Sequence, residues 1–180
     1  IKRIDTSGTV VSLTVPLNIS NQTNIITDMV IWRNQLWVCA SGASGSMYYM
    51  PLSSTTLTDI TAGGGGYFYK MVVFKDQLYG TNAGTSPNYY FYRYTGDTAT
   101  RNFLALASTP QQTASYYAKL FVYNNRVYLS RNDGLYAYDG VALVTVEDRT
   151  DQVDDGNYLY PSTLKGYLYY FMPDGMYRFN

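Results

Sequence analysis

The chain has 180 residues, with 13 Lys plus Arg against 13 Asp plus Glu for a formal charge of zero, and it contains no His. No cluster of Lys and Arg exceeds the Lys2-Arg3 pair, so the charge gives no support to nucleic-acid binding, which draws on grouped cations to release phosphate counterions. Without His, Ser-His triads, most zinc centres and imidazole acid–base chemistry are excluded.

Tyr is abundant at 21 residues, and 12 of the 13 acids are Asp, with Glu147 the single Glu. Glu favours helices, whereas Tyr and Thr suit pleated sheets and Gly, Asn and Asp suit turns. The balance predicts an all-β chain with short connections. No apolar run reaches the roughly 18 residues that a membrane-crossing helix needs.

In chain order, residues 1–5 and 10–15 read as two strands. A four-strand unit follows at 29–32, 36–40, 47–50 and 57–61, and a second at 70–74, 77–80, 89–94 and 101–106. The third unit, at 119–123, 126–130, 135–138 and 142–146, is the cleanest. Asn124-Asn125 offers it a tight hairpin turn because Asn tolerates positive φ. A fourth unit keeps three strands, at 161–164, 167–171 and 176–179.

These units are copies of one pattern. Leu36, Leu78, Val127 and Leu168 recur at intervals of 42, 49 and 41 residues, each followed by an aromatic residue. A second column, Tyr48, Tyr92, Tyr136 and Tyr177, recurs at 44, 44 and 41. Self-similarity on this scale marks an array of supersecondary units. The expected architecture is a β-propeller of four-stranded antiparallel blades, in which each small sheet covers its apolar sides against its neighbours. The blades span 29–61, 70–106 and 119–146, with partial blades at 1–16 and 159–180. Both chain ends read as cuts through a repeat, as in an excerpt from a larger ring.

The hairpin Phe74-Lys75-Asp76-Gln77-Leu78-Tyr79 and the turn Leu135-Tyr136-Ala137-Tyr138-Asp139-Gly140 resemble kelch-like propeller repeats. Less regular propellers of this kind occur in bacteriophage tail-hub and nozzle proteins, whose richness in Tyr, Asn, Thr and Gly the composition is similar to. The resemblance implies a non-catalytic structural or docking module among other protein chains, in a virion or an extracellular setting. The alternative is a carbohydrate-binding propeller.

Strand order places the first and third turns of each unit on one face of the array, and the longer connections on the other. That loop-rich face carries Tyr67, Tyr69, Tyr89, Tyr90, Tyr116, Tyr117, Tyr158 and Tyr160, aromatic candidates for stacking on sugar or anchoring a protein partner. Tyr79, Tyr128, Tyr136 and Tyr177 are expected to pack between sheets instead.

Little else suggests chemistry. Five of the 13 acids fall within residues 147–155, where Asp148, Asp151, Asp154 and Asp155 could offer oxygens to Ca²⁺. Their spacing is not that of a calcium loop, so a solvated acidic connection is expected, with no metal and no cofactor. Asp139 and Asp174 are carboxylates from different copies, but Asp139 fills a slot where Asp is simply a good turn former. The run of Gly at 63–66 lacks the Lys-Ser/Thr of a phosphate loop. Cys39, the lone cysteine, sits in a strand as a small buried hydrophobe. The two glycosylation sequons beginning at Asn18 and Asn21 are no more than chance supplies. The expectation is that the chain is not an enzyme.

Overall fold

Four dipeptides reverse the chain in the same way. Arg33-Asn34, Lys75-Asp76, Asn124-Asn125 and Lys165-Gly166 all have both residues at positive φ, between 44° and 79°. Two successive left-handed residues make the type I′ turn, whose twist matches that of the strands it joins. Each turn therefore fixes a two-residue hairpin, and the hairpins fix the sheets. The computed structural model describes residues 2–4, 7–14, 25–41, 46–60, 68–82, 90–97, 103–108, 119–131, 134–148, 162–172 and 175–179.

Among the described residues the fold is all β, without helix. A two-stranded sheet, β1 (Lys2–Ile4) and β2 (Val10–Ser12), comes first. The first four-stranded sheet contains β3 (Ile25–Trp32), β4 (Gln35–Ser41), β5 (Ser46–Pro51) and β6 (Thr58–Asp59). The second contains β7 (Phe68–Phe74), β8 (Gln77–Asn82), β9 (Tyr90–Tyr94) and β10 (Phe103–Ser108). The third contains β11 (Lys119–Tyr123), β12 (Arg126–Arg131), β13 (Gly134–Tyr138) and β14 (Leu143–Asp148). A three-stranded sheet of β15 (Ser162–Leu164), β16 (Tyr167–Met172) and β17 (Gly175–Phe179) completes the series. Strands pair antiparallel in chain order, and no sheet closes on itself.

All seventeen strands read from the sequence are present, with shifted ends. The first strands of the first two four-stranded sheets start earlier than expected, at Ile25 and Phe68. In both, an extra residue, Thr27 or Tyr69, bulges out of the ladder and breaks the alternation that would have revealed the start. Among the strands shorter than expected, two stand out. β6 is confined to Thr58–Asp59, and β2 ends at Ser12 rather than at residue 15. Beyond Ser12 the chain leaves β1 for the first four-stranded sheet: Thr14 bridges Thr56 in parallel, and its N–H donates to Thr55 O at 2.7 Å.

The repeat columns hold their register. Leu36, Leu78, Val127 and Leu168 lie opposite Ile31, Val73, Val122 and Thr163. Tyr48, Tyr92, Tyr136 and Tyr177 lie opposite Val38, Gly80, Leu129 and Tyr170. Because side chains alternate across a strand, the two sides of each sheet differ. One side carries Trp37, Tyr79 or Tyr128 and faces the following sheet; the other carries the aliphatic column and faces the preceding one.

Three apolar layers follow from this. Trp37, Cys39 and Met47 of the first four-stranded sheet pack with Met71, Leu78 and Tyr94 of the second. Tyr79 and Phe91 of the second pack with Val127, Leu129 and half-buried Tyr136 of the third. Leu13 covers Val38, Ala40 and Tyr48 on the opposite side of the first. Buried Cys39 places its thiol 3.3 Å from Met71 Sδ. Tyr128 is buried with Leu135 and Ala137 on the far side of the third sheet. Tyr177 is half-buried.

The stack is tighter at one edge. First strands β3, β7 and β11 lie against one another, whereas fourth strands β6, β10 and β14 make no comparable approach. Polar clasps reinforce the tight edge. The Asp28 carboxylate accepts the Met29 N–H at 2.9 Å and, across the gap, the Met71 N–H at 2.8 Å. Lys70 Nζ donates back to Thr27 O at 2.6 Å.

Candidate functional site

The type I′ turns gather at one end of the sheets, and each grips its neighbour. Buried Trp32 donates its Nε1–H to Asp76 O at 3.1 Å, in the turn of the following sheet. The Tyr123 hydroxyl, in the same slot, donates to Gly166 O at 2.5 Å. Between them stands Phe74, which has no donor to offer. There the adjacent Lys75 supplies the tie, reaching Asp139 O at 2.9 Å in a turn of the third sheet. A chain of three bonds thus crosses the turn-bearing face from the first four-stranded sheet to the three-stranded one.

Cations decorate this face. The Arg33 guanidinium lies 4.5 Å from the Trp32 ring centroid, and Lys75 Nζ lies 4.9 Å from that of Phe74. Such stacking is worth about 0.5–1 kcal/mol at exposed sites. Arg33 Nη2 also lies 3.5 Å from Asp76 Oδ2, an exposed pair that adds little to stability. The arrangement orients modules and presents the Arg33 and Lys75 cations beside the Asp76 carboxylate.

The third-turn slots are also built from side chains closing on backbone. The Tyr94 hydroxyl donates to Asp97 O at 2.5 Å, and the Tyr138 hydroxyl to Gly140 O at 2.9 Å. Asp139 Oδ1 accepts N–H bonds from Val141 at 2.8 Å and Ala142 at 3.1 Å, which hold its carboxyl below the ordinary value of 3.8. Asp139 is a turn anchor. Burial pushes the Tyr79 phenol up, the Tyr138 phenol adds to that, and Arg93 pulls the other way. Burial likewise raises Tyr128 against the opposing pull of Arg126. These phenols remain protonated at neutral pH and serve as packing.

Of the residues singled out from the sequence, Tyr67, Tyr89, Tyr116, Tyr117, Tyr158 and Tyr160 lie outside the described residues. So do Asp151, Asp154, Asp155 and Asp174. Tyr69 is the bulged residue of β7, Tyr90 pairs with Ser108, and Asp148 ends β14 opposite Gly134; their side chains are outside the described part. Among the described residues no group of three or more His, Cys, Asp or Glu could hold a metal ion, and no helix is long and apolar enough to cross a membrane.

Sequence reasoning did not single out the cation–aromatic pairs of the turn face. A signal existed: in two copies the turn begins with aromatic-then-cation, Trp32-Arg33 and Phe74-Lys75. A third such stack, Arg178 at 4.6 Å from the Tyr167 ring centroid, lies on the last sheet. Compared with known proteins, the sequence matches no family model, and no curated protein matches it either.

Proposed function

We propose that this chain is a stretch of β-propeller that serves as a non-catalytic docking module in a larger protein assembly, of the kind built into bacteriophage tails. The observation that supports it is the wedge shape of the stack. Like sheets in like register touch closely along their first strands and splay at their fourth, and repeated wedges fan around an axis. The side chains at the turns join module to module instead of converging on a reactive centre. Kelch-like hairpins and the composition point the same way.

The test is to express the tagged chain in its source together with the genes that flank its own, and to image the purified particles by cryo-electron microscopy. Radially disposed small sheets embedded among other chains are expected. Recovery of the chain only free of particles, or turnover of a substrate by the free chain, would defeat the proposal.

A further inference from the structure

The sheets share one plan, so a residue that departs from it inside a layer stands out. Trp37 pairs with Tyr49 and Tyr128 with Ala137, but at the same level Tyr79 pairs with Arg93. Directly paired residues share a side of their sheet, so Arg93 lies with Tyr79 on the side turned to the third four-stranded sheet. A cation therefore stands in an apolar layer where the first and third sheets carry neutral side chains. The last sheet has Arg178 at this level, opposite Tyr169, but that arginine is exposed.

Arg93 is half-buried, and its Nε is sealed from solvent without a hydrogen-bond acceptor. Among the described residues no carboxylate lies within ion-pair distance of it. Its partner is the neutral Tyr79 phenol, which also meets the Tyr138 phenol across the layer; the two rings are 5.6 Å apart. A charge withdrawn from water without a counter-ion is costly, and a bound anion removes that cost. A second cation stands at the turn-bearing end of the layer, where Lys75 closes on the Asp139-Gly140 turn that also holds the Tyr138 hydroxyl. The Asp139 carboxylate is committed through Oδ1 to the Val141 and Ala142 N–H groups. Solvent reaches the layer here. Leu104 pairs with Arg93 from β10, on the same side of the sheet, and is 45% exposed. The gap is left by the fourth strands β10 and β14, which do not approach each other as the first strands do.

We propose that Arg93 marks a binding site for a carboxylate group in the seam between the second and third four-stranded sheets. A carboxylate accepts two parallel N–H bonds from one edge of a guanidinium, and so supplies the acceptor that Nε lacks. Its flat shape suits a slot between two sheets, and the Tyr79 and Tyr138 hydroxyls and Lys75 bring further donors to that end of the layer. The gap between β10 and β14 is the way in. This site goes beyond the docking-module reading and does not depend on it.

Titration of the chain, isotope-labelled at arginine, with sodium acetate tests the site by NMR, against sodium chloride at matched ionic strength. The Arg93 Nε–H signal is expected to move saturably with acetate and not with chloride, while exposed Arg33 responds alike to both. The melting midpoint of the parent should rise with acetate relative to chloride, as a ligand of the folded state requires. Arg93→Tyr installs the residue that the first sheet has at this level, and should fold but lose that rise. Arg93→Gln takes its place should the Tyr variant fail to fold. Arg93→Lys keeps the charge without the two-pronged edge, and should bind acetate more weakly. An Arg93 signal that ignores acetate or follows chloride equally would overturn the site, as would a folded Arg93→Tyr or Arg93→Gln chain that still gains stability from acetate. None of these results bears on the docking-module reading, which is judged on particles.

Discussion

Gly80 is the position where one methyl group should matter most. It lies in β8 at the level where the other four-stranded sheets carry Val38 and Leu129. Phe68, fully buried, fills the space instead, and a β-carbon added at Gly80 would overlap its ring. The first sheet solves the same problem with Ile26 and Val38, so volume has moved between adjacent strands. Overpacking of this sort costs about 1–3 kcal/mol. The relief of glycine's conformational entropy returns about 0.5–1 kcal/mol. The added carbon would overlap three ring atoms of Phe68, which puts Gly80→Ala in the upper part of that range, and it should destabilise by about 1–2.5 kcal/mol net, a melting drop of roughly 3–8 °C for a chain of this size. Gly80→Val should cost more. Combining it with Phe68→Ile restores the Ile–Val arrangement, and the double variant should be less destabilised than the sum of its parts by about 1–3 kcal/mol. Urea unfolding with unchanged m-values measures all four corners of the cycle. A neutral Gly80→Ala, or strictly additive singles, would refute the exchange of volume.

Leu78, at 0% exposure between two sheets, should lose about 2–5 kcal/mol on truncation to Ala. Half-buried Leu36, in the same column, should lose clearly less, and equal losses by urea unfolding would contradict the layer assignment. Lys165→Asn converts the last turn to Asn-Gly, the preferred type I′ pair, and should raise stability by about 0.5–1 kcal/mol. The Asp139 carboxyl is depressed in the fold, so its contribution is present above its unfolded value near 3.8 and is lost as pH falls through the lower, folded value. The stability difference between parent and Asp139→Ala should therefore shrink on acidification, and a difference that stays constant over that range would remove the turn-anchor role.

The strands were legible because periodicity and turn chemistry agreed in four copies, and Asn124-Asn125 announced a hairpin geometry that all four share. What escaped the sequence was what alternation cannot encode. Thr27 and Tyr69 break their ladders, so β3 and β7 begin before their alternating runs do. Thr14 reaches Thr56 through a single bridge with no pattern to foretell it. Asp28 lies just before the strand expected at 29–32, yet its carboxylate joins two sheets through a backbone N–H that no residue name reveals. Lys75 took its tie to Asp139 only because Phe74 has no donor, a substitution visible once Trp32 and Tyr123 are seen donating from the same slot.

Because every ladder joins strands adjacent in the chain, each sheet can form its hydrogen bonds before any distant segment arrives. Loop closure is then short and inexpensive, and folding should start in several places at once. A duplication or loss of one whole sheet would need no rethreading, only a new neighbour with a matching flank. The unequal spacing of the copies, with seven extra residues before Val127, falls in the connections between strands, within the second four-stranded sheet as well as after it, while the order of the ladders stays the same.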